Sequence, residues 1–384
     1  MESPIQVKSK FPNSGDTIFS AMTALANKHG AVNLSQGFPD FDTPKDLIKL
    51  ASKYMKLGKN QYAPMPGVLK LRQAISEKIN RLYSAEYNPE MEITVVAGAT
   101  LGLFCAFQSI LNENDEVVIF EPAYDSYEPA IRLAGAKPVY TQIDLETMTI
   151  DWDHVKKLIN YTTKAIVINT PHNPTGSILK EEDLLQLEKL IEGKDIVVIS
   201  DEVYEHIIFD KTKHQSVAKY PKLASRSFIV SSFGKTYHAT GWKMGYVVAP
   251  EKLMREFRKT YQYVGFSAHS PSQYAIADFM QEDAWCPALS EFFQEKRDYF
   301  REKLIDSRFK LHPSHGSYFQ TISYEGISEK NSFEMARELT INHGIASIPF
   351  ESFYHKPFEG KYLRLCFAKN KNTLRKGAEI LCSI

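Results

Sequence analysis

The stretch "SSFGKTYHATGWKMG", residues 231–245, decides the fold because it leads from an apolar, strand-like run into a glycine-rich loop that carries Lys235. Its Gly-Lys-Thr triplet, 234–236, allows two chemistries. In a P-loop the lysine binds a nucleotide phosphate, whereas a Schiff-base lysine forms a covalent bond with an aldehyde. A P-loop requires glycine at position 229, where this chain has Ile229. The nucleotide site is therefore disfavoured.

Covalent chemistry requires a deprotonated amine, which a partly buried site near other cations provides by lowering the lysine pKa. Lys243 follows Lys235 in the same loop and is such a neighbour. An ordinary loop lysine remains the alternative on this triplet alone. The decision depends on the rest of the chain.

Composition excludes several classes of partner. The 384 residues include 46 basic and 46 acidic side chains, so no net charge draws the chain to nucleic acid or to an anionic membrane. No run approaches the roughly 18 apolar residues of a membrane span, and the first residues lack the apolar core of a signal peptide. The four cysteines are scattered, which argues against a metal site or a disulfide framework. We expect a soluble, cytoplasmic protein.

Helix-like segments alternate with continuously apolar runs between residues 43 and 250. Such runs are typical of strands buried on both faces, so we predict a doubly wound, mostly parallel α/β sheet. Charged helices, as at 288–305, and further strands then indicate a smaller α+β domain. We predict a large domain at 40–275 and a small domain that combines 1–39 with 276–384. The predicted strands of the large sheet are 93–98, 116–122, 164–170, 195–200, 227–232 and 245–250.

Two helix starts carry local signals. Thr43 is predicted to cap a helix that has Pro44 in its first turn and ends at Gly58. Asp151 is predicted to cap the helix that begins "DWDHVKKLI". Both helices would flank strands of the predicted sheet.

Pyridoxal 5′-phosphate would impose further demands: a phosphate cradle, an anion for the pyridine nitrogen, a donor to the ring hydroxyl and a surface for the ring. The amides of Ala99 and Thr100 lie where a strand leads into a helix, a position that stabilises an anion. Ser232 and Lys243 complete this cradle from the lysine loop. Each signal is weak by itself.

Polar and aromatic residues follow the other predicted strands. Asp201 follows a buried strand and would keep the pyridine nitrogen protonated, with Tyr204 as donor to the ring oxygen. Asn173 follows "KAIVINT", and Tyr124 would offer a ring face. The alternatives are a helix cap or a salt bridge for Asp201, turn chemistry for Asn173 and core packing for Tyr124. Their joint placement in one sheet with Lys235 favours the cofactor site.

These residues lie within motifs that together resemble the class I pyridoxal-phosphate aminotransferases of fold type I, and within them the kynurenine and methionine aminotransferase group, bacterial methionine aminotransferases above all. The resemblance covers nearly the whole chain and is specific for fold and cofactor, less so for substrate. The motifs are "NLSQGFPDF", "NQYAPMPG", "GATLGLF", "EPAYDSYEPAI", "NTPHNPTG", "SDEVYEH", "SSFGKTYHATGWKMGY" and "RLCFAKN".

The resemblance implies a role for each position. Lys235 corresponds to the lysine that bonds to the cofactor and then moves the substrate proton, and Asp201 to the partner of the pyridine nitrogen. Asn173 and Tyr204 correspond to the ligands of the ring hydroxyl and Tyr124 to the stacking ring. The phosphate positions are Ala99, Thr100, Ser232 and Lys243. Tyr62 would reach the phosphate of a neighbouring subunit, which implies a homodimer with shared active sites.

Arg364 is expected to bind the substrate carboxylate. Leu363, Leu365 and Phe367 share one face of a predicted strand, so Arg364 points to the other, although a surface arginine is the alternative. In the resembled family this position holds the α-carboxylate, and the Gly37 backbone assists.

The side-chain pocket is expected to involve Ile18, Phe19, Ala268 and His269. This set favours methionine; aromatic amino acids, kynurenine and glutamine are also compatible. No motif places a second arginine for an acidic side chain. Leu101 departs from the family, where glutamate or glutamine is common, and removes polar support beside the cofactor.

The sequence therefore predicts a pyridoxal-phosphate-dependent aminotransferase that moves an α-amino group from an L-amino acid to a 2-oxo acid. A cysteine-S-conjugate β-lyase is the alternative within the same chemistry, because the same carbanion can expel a β-thiolate. A non-catalytic amino-acid-binding module is disfavoured, because it has no need of both Lys235 and Asp201.

Overall fold

The computed structural model describes residues 7–12, 15–281 and 285–384; part of the predicted N-terminal arm (1–6 and 13–14) and 282–284 lie outside them. Its strands are β1 (Val32–Asn33), β2 (Ile93–Val96), β3 (Glu116–Glu121), β4 (Lys137–Asp144), β5 (Thr149–Ile150), β6 (Thr163–Asn169), β7 (Val197–Asp201), β8 (Ser227–Ser232), β9 (Gly245–Val248), β10 (Lys310–Leu311), β11 (Phe319–Ser323), β12 (Ile345–Ala346), β13 (Ile348–Pro349) and β14 (Tyr362–Cys366). Its helices are α1 (Ile18–His29), α2 (Lys45–Lys56), α3 (Leu69–Tyr83), α4 (Ala99–Ile110), α5 (Tyr127–Leu133), α6 (Trp152–Leu158), α7 (Glu181–Ile191), α8 (Pro221–Ala224), α9 (Phe233–Thr236), α10 (Glu251–Val264), α11 (Ser270–Phe279), α12 (Trp285–Lys303), α13 (Ser332–Glu338) and α14 (Lys371–Cys382).

An eight-stranded sheet carries the larger core, in the order β2-β9-β8-β7-β6-β3-β4-β5. All its strands run parallel except β9 and β5, which confirms the predicted α/β sheet. Each of the six predicted apolar runs overlaps a strand of this sheet; β4 and β5 were not predicted.

Alternate residues of the central strands face opposite hydrophobic layers. In β3, Val118 and Phe120 belong to one core cluster, whereas Val117 and Ile119 belong to the other. Helices α2, α3 and α11 contribute to the first layer, and α4 and α10 to the second. Burial on both faces is why these strands are apolar throughout.

One predicted helix start is confirmed and one is wrong. Asp151 accepts a hydrogen bond from the His154 amide at 2.9 Å and caps α6. Thr43 does not cap α2, because its hydroxyl donates instead to the His238 carbonyl at 2.9 Å, 195 residues further along the chain. Thr43 therefore fastens the start of α2 to the loop that carries Lys235.

A separate four-stranded antiparallel sheet has the order β10-β11-β14-β13. It packs in a third core cluster, to which α1, α13 and α14 contribute. Strand β1 pairs with β12 in parallel, so an early segment packs with late ones. The domain boundaries at 39/40 and 275/276 stay a prediction. Within the described ranges, no helix is both long and apolar enough to span a bilayer.

A buried ion pair fixes α3 to the segment after β7. Lys78 Nζ lies 2.6 Å from Glu205 Oε1, and the side chains are only 6% and 4% exposed. Tyr83 and Tyr246 also donate to this carboxylate, at 2.6 and 2.9 Å. Burial acts to raise the pKa of Glu205, but Lys78, His206 and Tyr83 outweigh it and hold that pKa well below its usual range. Glu205 is therefore ionised in the folded protein.

We predict that Lys78→Met lowers the free energy of unfolding by about 3–5 kcal/mol at pH 7, because it leaves a buried carboxylate without its cation. The pair stabilises the fold above the unfolded glutamate pKa of about 4.3 and loses that effect as the pH falls. Without Lys78, burial raises the pKa of Glu205, so the folded variant takes up a proton as the pH falls and the difference between variant and parent should shrink from pH 7 to pH 4. Urea denaturation at both pH values measures it.

Lys310→Met is the matched control, because Lys310 and Glu146 form a pair at 2.7 Å whose side chains are 63% and 58% exposed. We expect this change to cost at most about 1 kcal/mol. Equal losses in the two variants would contradict a special contribution from the buried pair.

Candidate active site

A cavity of about 260 Å³ lies at the carboxyl ends of β6, β7 and β8, beside the N-terminus of α4. Open α/β sheets bind ligands at this edge. Residues of the second sheet, Phe319 and Arg364, line its other side. Twelve of the predicted site residues line this cavity: Phe19, Gly37, Ala99, Thr100, Tyr124, Asn173, Asp201, Tyr204, Ser232, Lys235, Lys243 and Arg364.

Lys235 lies on α9, the single turn that follows β8, and is partly buried. Its Nζ donates to the Tyr318 hydroxyl at 3.0 Å and to the Gly37 carbonyl at 3.3 Å. Burial lowers the pKa of Lys235 to about 8; Arg364 and Lys243 act in the same direction. This amine therefore loses its proton far more readily than an ordinary lysine does.

Asp201 ends β7 and is buried, with only 3% of its surface exposed. Tyr127 donates its hydroxyl to Asp201 Oδ2 at 2.6 Å. Burial raises the pKa of Asp201 to about 6, although Tyr127 and the Val203 amide act to lower it. A cationic N–H donor at this carboxylate would restore its charge and satisfy it.

The backbone around α4 forms a cradle of hydrogen-bond donors. Gly98 has φ +93° and precedes the first amides of the helix, those of Ala99 and Thr100. A side chain at Gly98 would come within 3.0 Å of Lys243 Cε, and one at Gly245 within 3.0 Å of the Ala99 nitrogen. The free amides at the start of α4, the hydroxyls of Thr100 and Ser232 and the ammonium of Lys243 are hydrogen-bond donors of the kind that bind a phosphate. The site therefore fits pyridoxal phosphate.

Arg364 is almost completely buried, with 1% exposed. Its Nη1 donates to Asn173 Oδ1 at 2.7 Å and its Nη2 to the Ser35 carbonyl at 3.0 Å, while its buried Nε has no hydrogen-bond partner. Phe319 lies 4.1 Å from the guanidinium carbon. In the part of the chain that the structure describes, no carboxylate forms a salt bridge with Arg364. An incoming carboxylate is the natural counterion.

Four predicted residues do not line the cavity of this chain, and one of them, Ala268, is buried in a core cluster of the large sheet. Tyr62 is 82% exposed and contacts Phe266 edge-on. His269 precedes α11 and pairs with Ser272 at 2.7 Å. Ile18 lines a surface groove on α1, because it lies about 100° around the helix from Phe19. Their predicted roles stay predictions, that of Tyr62 at a site shared between subunits and those of the others in the substrate side-chain pocket.

Sequence reasoning missed several residues around the cavity. Tyr318 contacts Lys235, Tyr127 contacts Asp201, and Phe38 and Phe319 add aromatic walls. The signal for Phe319 was its strand, because β11 pairs with β14, which carries Arg364; Tyr318 directly precedes that strand. Tyr127 lies in the quoted motif "EPAYDSYEPAI", but no local pattern links it to Asp201.

Comparison with known proteins identifies the family. Residues 29–381 match the family described as "Aminotransferase class I and II". The chain therefore belongs to the class I and II aminotransferases. These are pyridoxal-phosphate-dependent enzymes whose substrates are amino acids and 2-oxo acids, and this chain is such a transaminase.

Individual aminotransferases resemble this chain over nearly its whole length. The chain is 44% identical to methionine aminotransferase of Escherichia coli K12 over 98% of both chains. It is 31% identical to kynurenine–oxoglutarate transaminase of Dictyostelium discoideum, over 96% of this chain and 94% of the other. Among solved structures, Escherichia coli YbdL, identified as having a methionine aminotransferase function, has a TM-score of 0.97 at 44% identity, covering 99% of this chain and 100% of that one. N-succinyldiaminopimelate aminotransferase of Mycobacterium tuberculosis has a TM-score of 0.95 at 34% identity, covering 98% and 100%.

The position of Lys235 predicts an unusual titration. In the cofactor-free protein, acetylation of Lys235 by a trace of acetic anhydride should rise with a midpoint near pH 8, because burial lowers its pKa from 10.5 to about 8. Mass spectrometry of the Lys235 peptide follows the labelling. The same peptide in urea is the control and should return to a midpoint near 10.5; coincident curves would show that the folded site does not shift this amine.

Proposed function

We propose that this transaminase takes the α-amino group chiefly from L-methionine and delivers it to a 2-oxo acid. The observation that carries the proposal is the meeting of an amine of lowered pKa (Lys235), a buried acid (Asp201) and a buried guanidinium (Arg364) in one cavity. The relatives with methionine aminotransferase activity agree with this donor.

The walls of the cavity favour an apolar, flexible side chain. Phe19, Phe38, Leu103 and Phe319 line it, and thioether sulfur packs well against aromatic rings. The described lining residues include three cationic side chains, Lys235, Lys243 and Arg364. Because two are assigned to the cofactor and one to the α-carboxylate, none is left for the side-chain carboxylate of aspartate or glutamate.

The residues divide the work as follows. When bound, pyridoxal phosphate supplies an electron sink for the charge that develops at the substrate Cα. Lys235 would hold the cofactor and, once its amine is free, take up and return the Cα proton. Asp201 would keep the pyridine nitrogen protonated. Arg364 would orient the substrate through two parallel bonds to its carboxylate.

The other assignments concern holding the cofactor. Asn173 and Tyr204 would bind the ring hydroxyl and Tyr124 would cover a ring face. The amides of Ala99 and Thr100 would bind the phosphate together with Ser232 and Lys243. Tyr124 and Asn173 line the same cavity as Lys235, which supports these roles.

We further propose a homodimer. Tyr62, Tyr263, Val264 and Phe266 expose between 46% and 86% of their surfaces within two nearby segments. A second copy would cover them, and Tyr62 would then reach the partner's phosphate.

Buried reduced thiols at Cys105 and Cys366 are in keeping with a cytoplasmic location.

The absorption spectrum tests the donor directly. With pyridoxal phosphate bound and no 2-oxo acid present, excess L-methionine should replace the visible cofactor band by a near-ultraviolet band, since the amino group stays on the cofactor. L-Aspartate at the same concentration should change the band far more slowly. An unchanged band with methionine would contradict the donor, and release of pyruvate from a cysteine conjugate at a higher rate would favour the β-lyase.

Lys235→Ala provides the matched control for that experiment. The variant should still bind pyridoxal phosphate without a covalent bond, but turnover should fall below detection because no amine remains to move the proton. Retained turnover would overturn the assignment of Lys235.

Arg364→Lys should lower kcat/KM for L-methionine by about 10- to 100-fold, mainly through KM, because an ammonium cannot form the two parallel bonds to the carboxylate. Arg375→Lys is the control, since Arg375 lies on α14 with 48% of its side chain exposed, paired with Glu379. Steady-state kinetics measure both. A similar KM in the Arg364→Lys variant and the parent would contradict the carboxylate role.

A further inference from the structure

We infer that Tyr318 is a positioning residue: its hydroxyl holds the Lys235 amine whenever that amine is not bonded to the cofactor, and orients it for proton transfer. The inference rests on the proposed role of Lys235 as the residue that moves the Cα proton. Tyr318 belongs to none of the positions that the sequence motifs assigned.

The hydrogen bonds around Lys235 Nζ carry the inference. The Tyr318 hydroxyl donates its only hydrogen to the Gly37 carbonyl at 2.6 Å. It therefore presents a lone pair to Lys235 Nζ, which lies 3.0 Å away and donates to it. Nζ also approaches the Gly37 carbonyl, at 3.3 Å. Amine, hydroxyl and carbonyl thus form a closed triangle.

Packing holds the hydroxyl in place. The Tyr318 ring is fully buried and meets Tyr204 edge-on at 5.0 Å, with Phe319 at 4.9 Å and Phe293 at 5.7 Å. Its backbone carbonyl accepts from the Phe367 amide at 3.0 Å, next to the strand that carries Arg364. A ring enclosed in this way cannot follow the flexible lysine, so the lysine must come to it.

The triangle suits a base that acts on a neighbouring carbon. A neutral amine has two N–H hydrogens and one lone pair. If Tyr318 and Gly37 each accept one hydrogen, the lone pair is directed away from both. The amine is thereby oriented without losing the electron pair that takes up the proton. Gly37 is also the backbone expected beside the substrate carboxylate, so one carbonyl sets the position of base and substrate segment together.

Tyr318 is distinguishable from the other groups that influence this amine. Cys366 and Arg364 face the Lys235 amine from β14, Asp201 from β7, Tyr204 from the segment after β7 and Lys243 from the lysine loop. All five remain in a Tyr318→Phe variant, which keeps the ring and its packing and removes only the hydroxyl. A change in the titration of Lys235 in that variant therefore reports the hydroxyl.

The first test uses the cofactor-free protein. A hydrogen-bond acceptor stabilises an ammonium more than a neutral amine, so Tyr318→Phe should lower the midpoint of Lys235 acetylation by about 0.5–1 pH unit. Tyr324→Phe is the matched control, because Tyr324 is buried in the same core cluster and its hydroxyl donates to the Lys330 carbonyl at 3.0 Å instead. We expect no shift at Lys235 in that control. An unchanged or raised midpoint in Tyr318→Phe overturns the inference.

Turnover supplies the second readout. With cofactor bound, Tyr318→Phe should lower kcat for L-methionine about 10-fold with little change in KM, and should increase the isotope effect of deuterium at Cα on kcat. A loss confined to KM, or an isotope effect equal to that of the parent, would contradict a role in proton transfer. If Tyr318→Phe does not fold, replacement of Tyr318 by 3-fluorotyrosine weakens the acceptor without changing the packing and should shift the midpoint in the same direction.

The two proposals fail separately. The titration needs neither cofactor nor substrate, so its outcome does not depend on which amino acid is the donor. Retained turnover in Lys235→Ala would instead remove the assigned role of the lysine, whatever the Tyr318 titration shows.

Discussion

The burial of positive charge in one cavity is the constraint on which the rest of the site depends. Arg364 is almost completely buried and Lys235 is partly buried, and burial lowers the pKa of both. A buried cation is tolerated only when acceptors surround it. Carbonyls of Ser35 and Gly37 and the side-chain oxygen of Asn173 fill that need. The segment that carries Ser35 and Gly37 is thereby drawn over the cavity, where the substrate must enter.

Two carboxylates in the short motif "SDEVYEH" show how differently neighbouring residues can be tuned. Burial raises the pKa of Asp201 to about 6, and Tyr127 is its main side-chain partner. Glu205 has a pKa held well below its usual range because Lys78 faces it directly. The first carboxylate is free to respond to a ligand, whereas the second is permanently charged and fastens α3 to the sheet. One turn of chain thus separates a responsive acid from a structural one.

The sequence allowed good prediction where local pattern and long-range structure agree. The apolar runs predicted the central strands because strands buried on both faces are apolar throughout. The alternation around Arg364 predicted that it faces away from its leucine neighbours, whereas its place in the site was implied by the family resemblance. Strand β4 was missed because "KPVYTQID" is polar and partly exposed, which hides its period. Thr43 was assigned as a cap because the pattern around it is local, whereas its partner His238 is distant. Tyr318 was missed for the same reason, because nothing near it in sequence reveals that its hydroxyl lies 3.0 Å from Lys235 Nζ.

The bond between Arg364 and the Ser35 carbonyl joins residues 329 positions apart. Strand β14, which carries Arg364, is synthesised after every strand of the large sheet, so that sheet can form before its cavity has a guanidinium. A chain that ended before β14 would hold every strand of the large sheet but no guanidinium for a substrate carboxylate. Recognition of the amino acid therefore depends on the second sheet, whose strand β14 must dock before Arg364 can reach the Ser35 carbonyl.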